Sequence, residues 1–227
     1  MKKIFLLLLM LSSLGLTAQT KSELKNHFEA YYAQMKKQGD VQGIINAMTH
    51  LDVLEPSQAR KDTLAYIYVS EGRNLEALNT IGIDKNPNDS DINVEVKAVA
   101  LKALNQPKRA LEQFEVLFQR IPSPNLAYEV ADLRLQTQDL AGSKTVIEYG
   151  LANVKDDMVR TFYETQQPYQ TSLKAALLYL KALAIFTENQ DENVESALAI
   201  MNRALAIDPN FNLAKISKDA LLARKKE

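Results

Sequence analysis

Residues 91–122 read DINVEVKAVALKALNQPKRALEQFEVLFQRIP, and this stretch decides the fold. It reads as two helices, 91–104 and 107–120, with Asn105-Gln106 as the turn between them. Pro107 opens the second helix and Pro122 follows it. Proline lacks the N–H that a helix interior needs but is tolerated in a first turn, so both prolines mark boundaries. Ala98 and Ala110 are small where the two helices meet, which lets them approach closely. Phe114 is large enough to fill the gap to a neighbouring pair.

Working outward, the same features return at a constant step. Ala65, Ala98 and Ala131 form one column, with Tyr32 a step earlier; Ile44, Ala77, Ala110 and Ser143 form a second; Met48, Ile81, Phe114 and Ile147 form a third. The second and third columns lie about one helical turn apart, so they share a helix face. Turn pairs keep the beat at Gly39-Asp40, Gly72-Arg73, Asn105-Gln106 and Gln138-Asp139. A fixed period of roughly 33 residues marks an array of stacked units. First helices are predicted at 22–37, 57–70, 91–104 and 124–136, with partners at 41–54, 75–83, 107–120 and 140–154. No segment alternates as a strand should.

The period breaks once. The step from Ser143 to Ala197 is well over one repeat, and the surplus lies around 155–172 with Phe162, Tyr163, Pro168 and Tyr169. These aromatics are expected to fold back as a plug over the solenoid core, because exposed aromatic patches are rare on monomers; the alternative is a partner contact. A further first helix is predicted at 172–187 and its partner at 194–207. The last segment, 210–226, carries Leu213, Ile216, Ala220 and Leu221, which suits the cap that covers the final apolar face of a solenoid.

On these residues the chain resembles the tetratricopeptide repeat (TPR) family. Its repeat is about 34 residues, with small residues at the eighth and twentieth positions, a large one at the twenty-fourth and proline near the end. Ala98, Ala110, Phe114 and Pro122 match best; Ala65, Tyr68, Gly72, Ala77 and Ile81 match next; Ala197, Met201, Ala204 and Pro209 recur near the C-terminus. The family's tryptophan is missing, and Ile44 replaces a small residue in the first unit. The resemblance implies an all-α, right-handed superhelical solenoid with units at 22–56, 57–89, 90–122 and 123–155. An irregular insert at 156–171, a last unit at 172–209 and a capping helix at 210–226 complete it.

The resemblance also implies where a partner sits. Family ligands contact the second, fifth, ninth, twelfth and thirteenth positions of the first helices, which line the concave face. Carried onto this chain, those positions include Glu29, Asp62, Tyr66, Glu95, Val99, Lys102, Tyr128, Asp132 and Gln136. Glu29, Asp62 and Glu95 hold the same place in successive units and form an acid column that favours a basic or amide-rich segment; the competing reading is a solvated face. The family's clamp for terminal carboxylates uses Lys and Asn where this chain has Glu29 and Ala33, so that mode is expected to be absent. The expected partner is a protein or peptide segment.

Composition narrows the function further. There is no cysteine, so thiolate nucleophiles, disulfides and zinc knuckles are excluded, and a formal charge of −1 argues against nucleic acid. His27 and His50 lie on different predicted helices without metal-ligand spacing, and the seven glycines form no phosphate-cradling loop. No enzyme, metal or cofactor is expected. The rival is a glycan-binding module or wall-acting enzyme using groove carboxylates such as Glu95 and Asp132.

Residues 1–18 read as a secretory signal peptide: Lys2 and Lys3, an apolar run from Ile4 through Leu16, then Ala18. The run is too short and too interrupted by Ser12, Ser13 and Gly15 for a spanning helix. Cleavage would leave residues 19–227 as one helical-repeat domain with no further long apolar segment, in the periplasm or outside the cell.

Overall fold

The computed structural model describes residues 20–224; the predicted signal peptide at 1–18 and the end of the predicted capping helix lie outside them. Helix boundaries follow local chemistry. α1 (Lys21–Gln38) begins with a capping box, in which the Thr20 hydroxyl accepts from the Glu23 N–H and the Glu23 carboxylate accepts from the Thr20 N–H. α2 (Val41–Leu54), α3 (Gln58–Ser70), α5 (Asp91–Ala103) and α7 (Pro124–Gln136) each start behind an Asp or Ser whose side chain accepts a first-turn N–H. Pro107 and Pro124 occupy the first turns of α6 (Pro107–Arg120) and α7.

Within the first four pairs, the turn between the two helices has one backbone requirement. Gly39, Gly72, Asn105 and Gln138 have φ of 71°, 72°, 55° and 67°, all left-handed and all at the same place in successive repeats. Glycine meets this at no steric cost; Asn and above all Gln meet it with strain. α4 (Asn74–Ile81) ends earlier than the predicted 83, because Gly82 at φ 84° breaks the helix.

The helices pack in consecutive pairs: α1 with α2, α3 with α4, α5 with α6, α7 with α8 (Leu140–Asn153), and α9 (Leu173–Glu188) with α10 (Val194–Ile207). The alanine columns at 65, 98 and 131 and at 77 and 110 are fully buried at the pair contacts. Ser143, which continues the second column, is also buried and donates its hydroxyl to the Ala131 carbonyl at 2.9 Å. Phe114 and Ile147 are buried between pairs, Met48 likewise, and Ile81 half so.

The long loop from 82 to 90 is pinned by two cations. The Lys97 ammonium, almost fully buried, donates to the Asp84 carbonyl at 2.8 Å and the Asp89 carboxylate at 2.6 Å. Arg120 donates to the Asp89 and Pro87 carbonyls and to Asp91.

Two expectations are corrected. The surplus segment contains strands: β1 (Val159–Phe162) and β2 (Tyr169–Ser172) pair antiparallel, with Val159 opposite Ser172 and Phe162 opposite Tyr169. Both strands are too short for alternation to show in sequence, and the hairpin holds because it packs on helices. α11 (Asn212–Arg224) packs on α10 as a cap and uses the expected Leu213 and Leu221 together with Ala214, but the expected Ile216 and Ala220 face solvent. Phe211, buried just before α11, anchors its start and so sets that rotation.

Candidate partner-binding groove

The first helices present equivalent positions side by side along the inner face of the stack. Glu29, Asp62, Glu95 and Tyr128 form one level, and Ala33, Tyr66, Val99 and Asp132 the next. α3 and α5 pack directly on one another, which brings Tyr66 and Val99 into one platform. Tyr66 is 54% exposed and Val99 39%, both high for large apolar side chains. Glu95 is exposed and in no ion pair among the described residues, and Gln136 is exposed as well. Glu29 is exposed, 3.9 Å from a Lys25 that sits closer to Glu55.

Asp62 does not belong to a free acid column. It is only 7% exposed and accepts from the Ser90 hydroxyl at 2.6 Å, Gln58 at 2.8 Å and Asn93 at 3.0 Å. Burial alone would raise its pKa, but those three hydrogen bonds, with Lys97 nearby, outweigh it and hold the carboxyl below its ordinary range. Its role is to tie α3 to the N-terminus of α5, where Ser90 is the cap.

Beyond α5, the hairpin itself fills the inner face. Arg160 of β1 reaches the Glu129 carboxylate at 2.8 Å and lies over the Tyr128 ring at 3.9 Å. Phe162 meets Tyr128 edge-on at 6.2 Å, stacks on Tyr169 at 5.8 Å and touches Phe211 at 5.1 Å. Tyr128, expected at the groove surface, is therefore buried beneath the hairpin, and burial pushes its phenol far up. The folded-back plug is real for Phe162 and Tyr169, whereas Tyr163 points outward at 75% exposure.

Lys102 bridges α5 to α7, donating to Glu129 at 2.6 Å and Asp132 at 2.9 Å. Burial works against the Lys102 charge, but the two carboxylates win and its pKa is raised. Burial likewise works against Glu129, and Arg160 and Lys102 together hold its pKa below the ordinary value. Lys102, Glu129, Asp132 and Arg160 thus form a charge-balanced quartet.

The nine expected groove residues divide accordingly. Glu29, Tyr66, Glu95, Val99 and Gln136 remain open, while Asp62, Lys102, Tyr128 and Asp132 are engaged inside the protein. Sequence reasoning missed Arg160, Glu129 and Phe211. The available signal was Arg160, the sole cation between 156 and 171. Among the described residues no group of acids and histidines has metal-binding geometry, and no helix is long and apolar enough to cross a membrane.

No family model and no curated protein matches the chain. Among solved structures it is similar to YrrB, described as a TPR protein with an unusual peptide-binding site. Identity is 14% and the TM-score 0.65, over 85% of this chain and 90% of that one. A tetratricopeptide repeat protein from Parabacteroides merdae ATCC 43184 aligns over 93% of this chain and 74% of its own, at 15% identity and a TM-score of 0.46. The likeness to YrrB establishes the class of fold: an all-α helical repeat solenoid of the tetratricopeptide type.

Proposed function

We propose that the protein is a non-enzymatic interaction scaffold of the bacterial cell envelope whose inner face holds an extended or helical segment of a partner protein. One observation carries this reading: Tyr66 and Val99 lie exposed on adjacent, tightly packed helices, with Glu95, in no ion pair among the described residues, one turn from Val99. Rigid aromatic and apolar area beside a free charge is the composition of an interaction surface. The peptide-binding site named for YrrB supports the class of ligand, and the signal-like pattern at 1–18 supports the compartment. The enzymatic rival needs a carboxyl of raised pKa in a closed cleft; Asp62 and Glu129 are both lowered, and no observation favours it.

The test is affinity capture from envelope extracts with the native chain and with the folded double variant Tyr66→Ala, Glu95→Lys. A protein captured by the native chain, lost with the variant and rebinding directly once purified supports the scaffold. Capture of wall glycan in place of protein sinks it.

A further inference from the structure

The hairpin has two edges, and only one of them is closed. Leu173 lies opposite Met158 in the continued register, and its N–H donates to the Met158 carbonyl at 2.9 Å. Bonded and non-bonded pairs alternate along an antiparallel ladder. Arg160 and Phe162 therefore exchange bonds with Thr171 and Tyr169, and the N–H and C=O groups of Val159 and Thr161 point away from β2. Ser172 follows the same alternation on the other strand: its outward N–H donates to the Asp208 carboxylate at 3.3 Å. Thr171 bonds the same carboxylate, and Pro168 precedes the strand, so the β2 edge is blunted.

The β1 edge carries none of these devices. Among the described residues no donor or acceptor meets the outward groups of Val159 and Thr161, and positions 159, 161 and 163 hold neither charge nor proline. Val159 and Tyr163 are 51% and 75% exposed. Arg160 and Phe162 reach down to Glu129 and Tyr128, so this strand lies over α7, whose Glu129 is also held by Lys102 of α5.

We propose that the partner segment binds as a third strand on β1, pairing its backbone with Val159 and Thr161. This rests on the scaffold reading above and specifies how the segment is held. Strand addition takes affinity from backbone hydrogen bonds and specificity from alternate side chains. The solvent-side set packs beside Val159 and Tyr163, which suits β-branched or aromatic residues. On the inner face, neighbouring α5 offers Glu95, which has no counter-ion among the described residues, while Glu129 and Asp132 are already neutralised by Lys102 and Arg160. The segment is therefore one that alternates β-formers with a Lys or Arg.

The experiment pans a phage-displayed library of random short peptides against the purified chain and titrates the enriched peptides by fluorescence anisotropy. Thr161→Pro removes an outward N–H and leaves the β1–β2 ladder intact, since proline is tolerated on a strand edge. The expected result is enrichment of basic, β-prone peptides that bind Thr161→Pro about tenfold more weakly, the scale of one or two net hydrogen bonds. Glu95→Lys weakens them further. N-methylating alternate amides of the peptide gives the same loss on the native chain, which keeps the test independent of how the variant folds. Equal affinity for native and Thr161→Pro chains, with no effect of N-methylation, overturns strand addition and leaves the scaffold standing. No enrichment at all overturns both. A native dimer that Thr161→Pro dissolves makes a second copy the occupant and overturns the proposal.

Discussion

The two ends of this solenoid use the same repeat to opposite effect. At the N-terminal end α1 buries no residue fully, and the core there consists of small clusters around Ile45, Met48 and Leu64 and around Ala65, Ala77 and Val96. From Leu78 of α4 onward one continuous core runs to Ala214 and takes in the hairpin. The first region leaves its inner face open; the second fills that face with its own β1–β2. A repeat array is stabilised by neighbours, so a terminal pair is weak by default. The hairpin supplies the C-terminal end with the neighbour contacts that the N-terminal end lacks. Binding capacity and stability are thereby separated along one chain.

That contrast predicts unequal costs for one kind of substitution. Phe162→Ala deletes a buried ring from the aromatic cluster and is expected to cost about 3–4 kcal/mol. At about 2–4 °C per kcal/mol for a chain of this size, the melting temperature falls by roughly 10 °C. Phe28→Ala, which removes a half-buried ring stacked on His50 at 4.1 Å, is expected to cost about 1 kcal/mol. Calorimetry on both variants checks this, and equal losses would erase the distinction between the two ends.

Acid should loosen the hairpin end through Glu129. Its folded pKa is depressed below the ordinary 4.5, so its ion pairs contribute stability above that value and lose it as pH falls through the folded pKa. Melting temperature is therefore expected to drop as pH falls below about 4.5, and Glu129→Gln should flatten that slope while lowering stability at neutral pH. A pH series of thermal melts reads both. An unchanged slope in the variant would show that the quartet does not govern the acid response. Asp62, also depressed, is expected to add a second component on the α3–α5 side, lost as pH falls through its folded pKa.

The smallest effect is stabilising. Gln138 holds a left-handed backbone where two equivalent turns use glycine. Gln138→Gly is expected to gain about 1 kcal/mol, a rise of roughly 3 °C, and Asn105→Gly less, because Asn tolerates this conformation better. A destabilised Gln138→Gly chain would mean that entropy in the unfolded state outweighs the relieved strain.

Much of this was legible in the residues. The periodic columns located the buried alanines, the left-handed turns and the helix pairs, because each helix meets its neighbours through the same few positions. Tyr66 and Val99 were marked by the family's ligand-contact positions, and both are exposed. Asp62 and Tyr128 are not, although they occupy groove positions by count. Whether a groove residue is free depends on what folds onto it. Ser90 reaches Asp62 from the start of the next unit, and Arg160 reaches Tyr128 from beyond the whole of α8.

The sequence by itself determined the periodic part of this protein, since helix pairing is a local, repeated contact that each unit's own small and large residues specify. Tertiary structure alone decided the hairpin, the rotation of the capping helix and the division of the inner face into a filled and an open half. Those depend on contacts between segments far apart in the chain. No periodicity records them, because each occurs once.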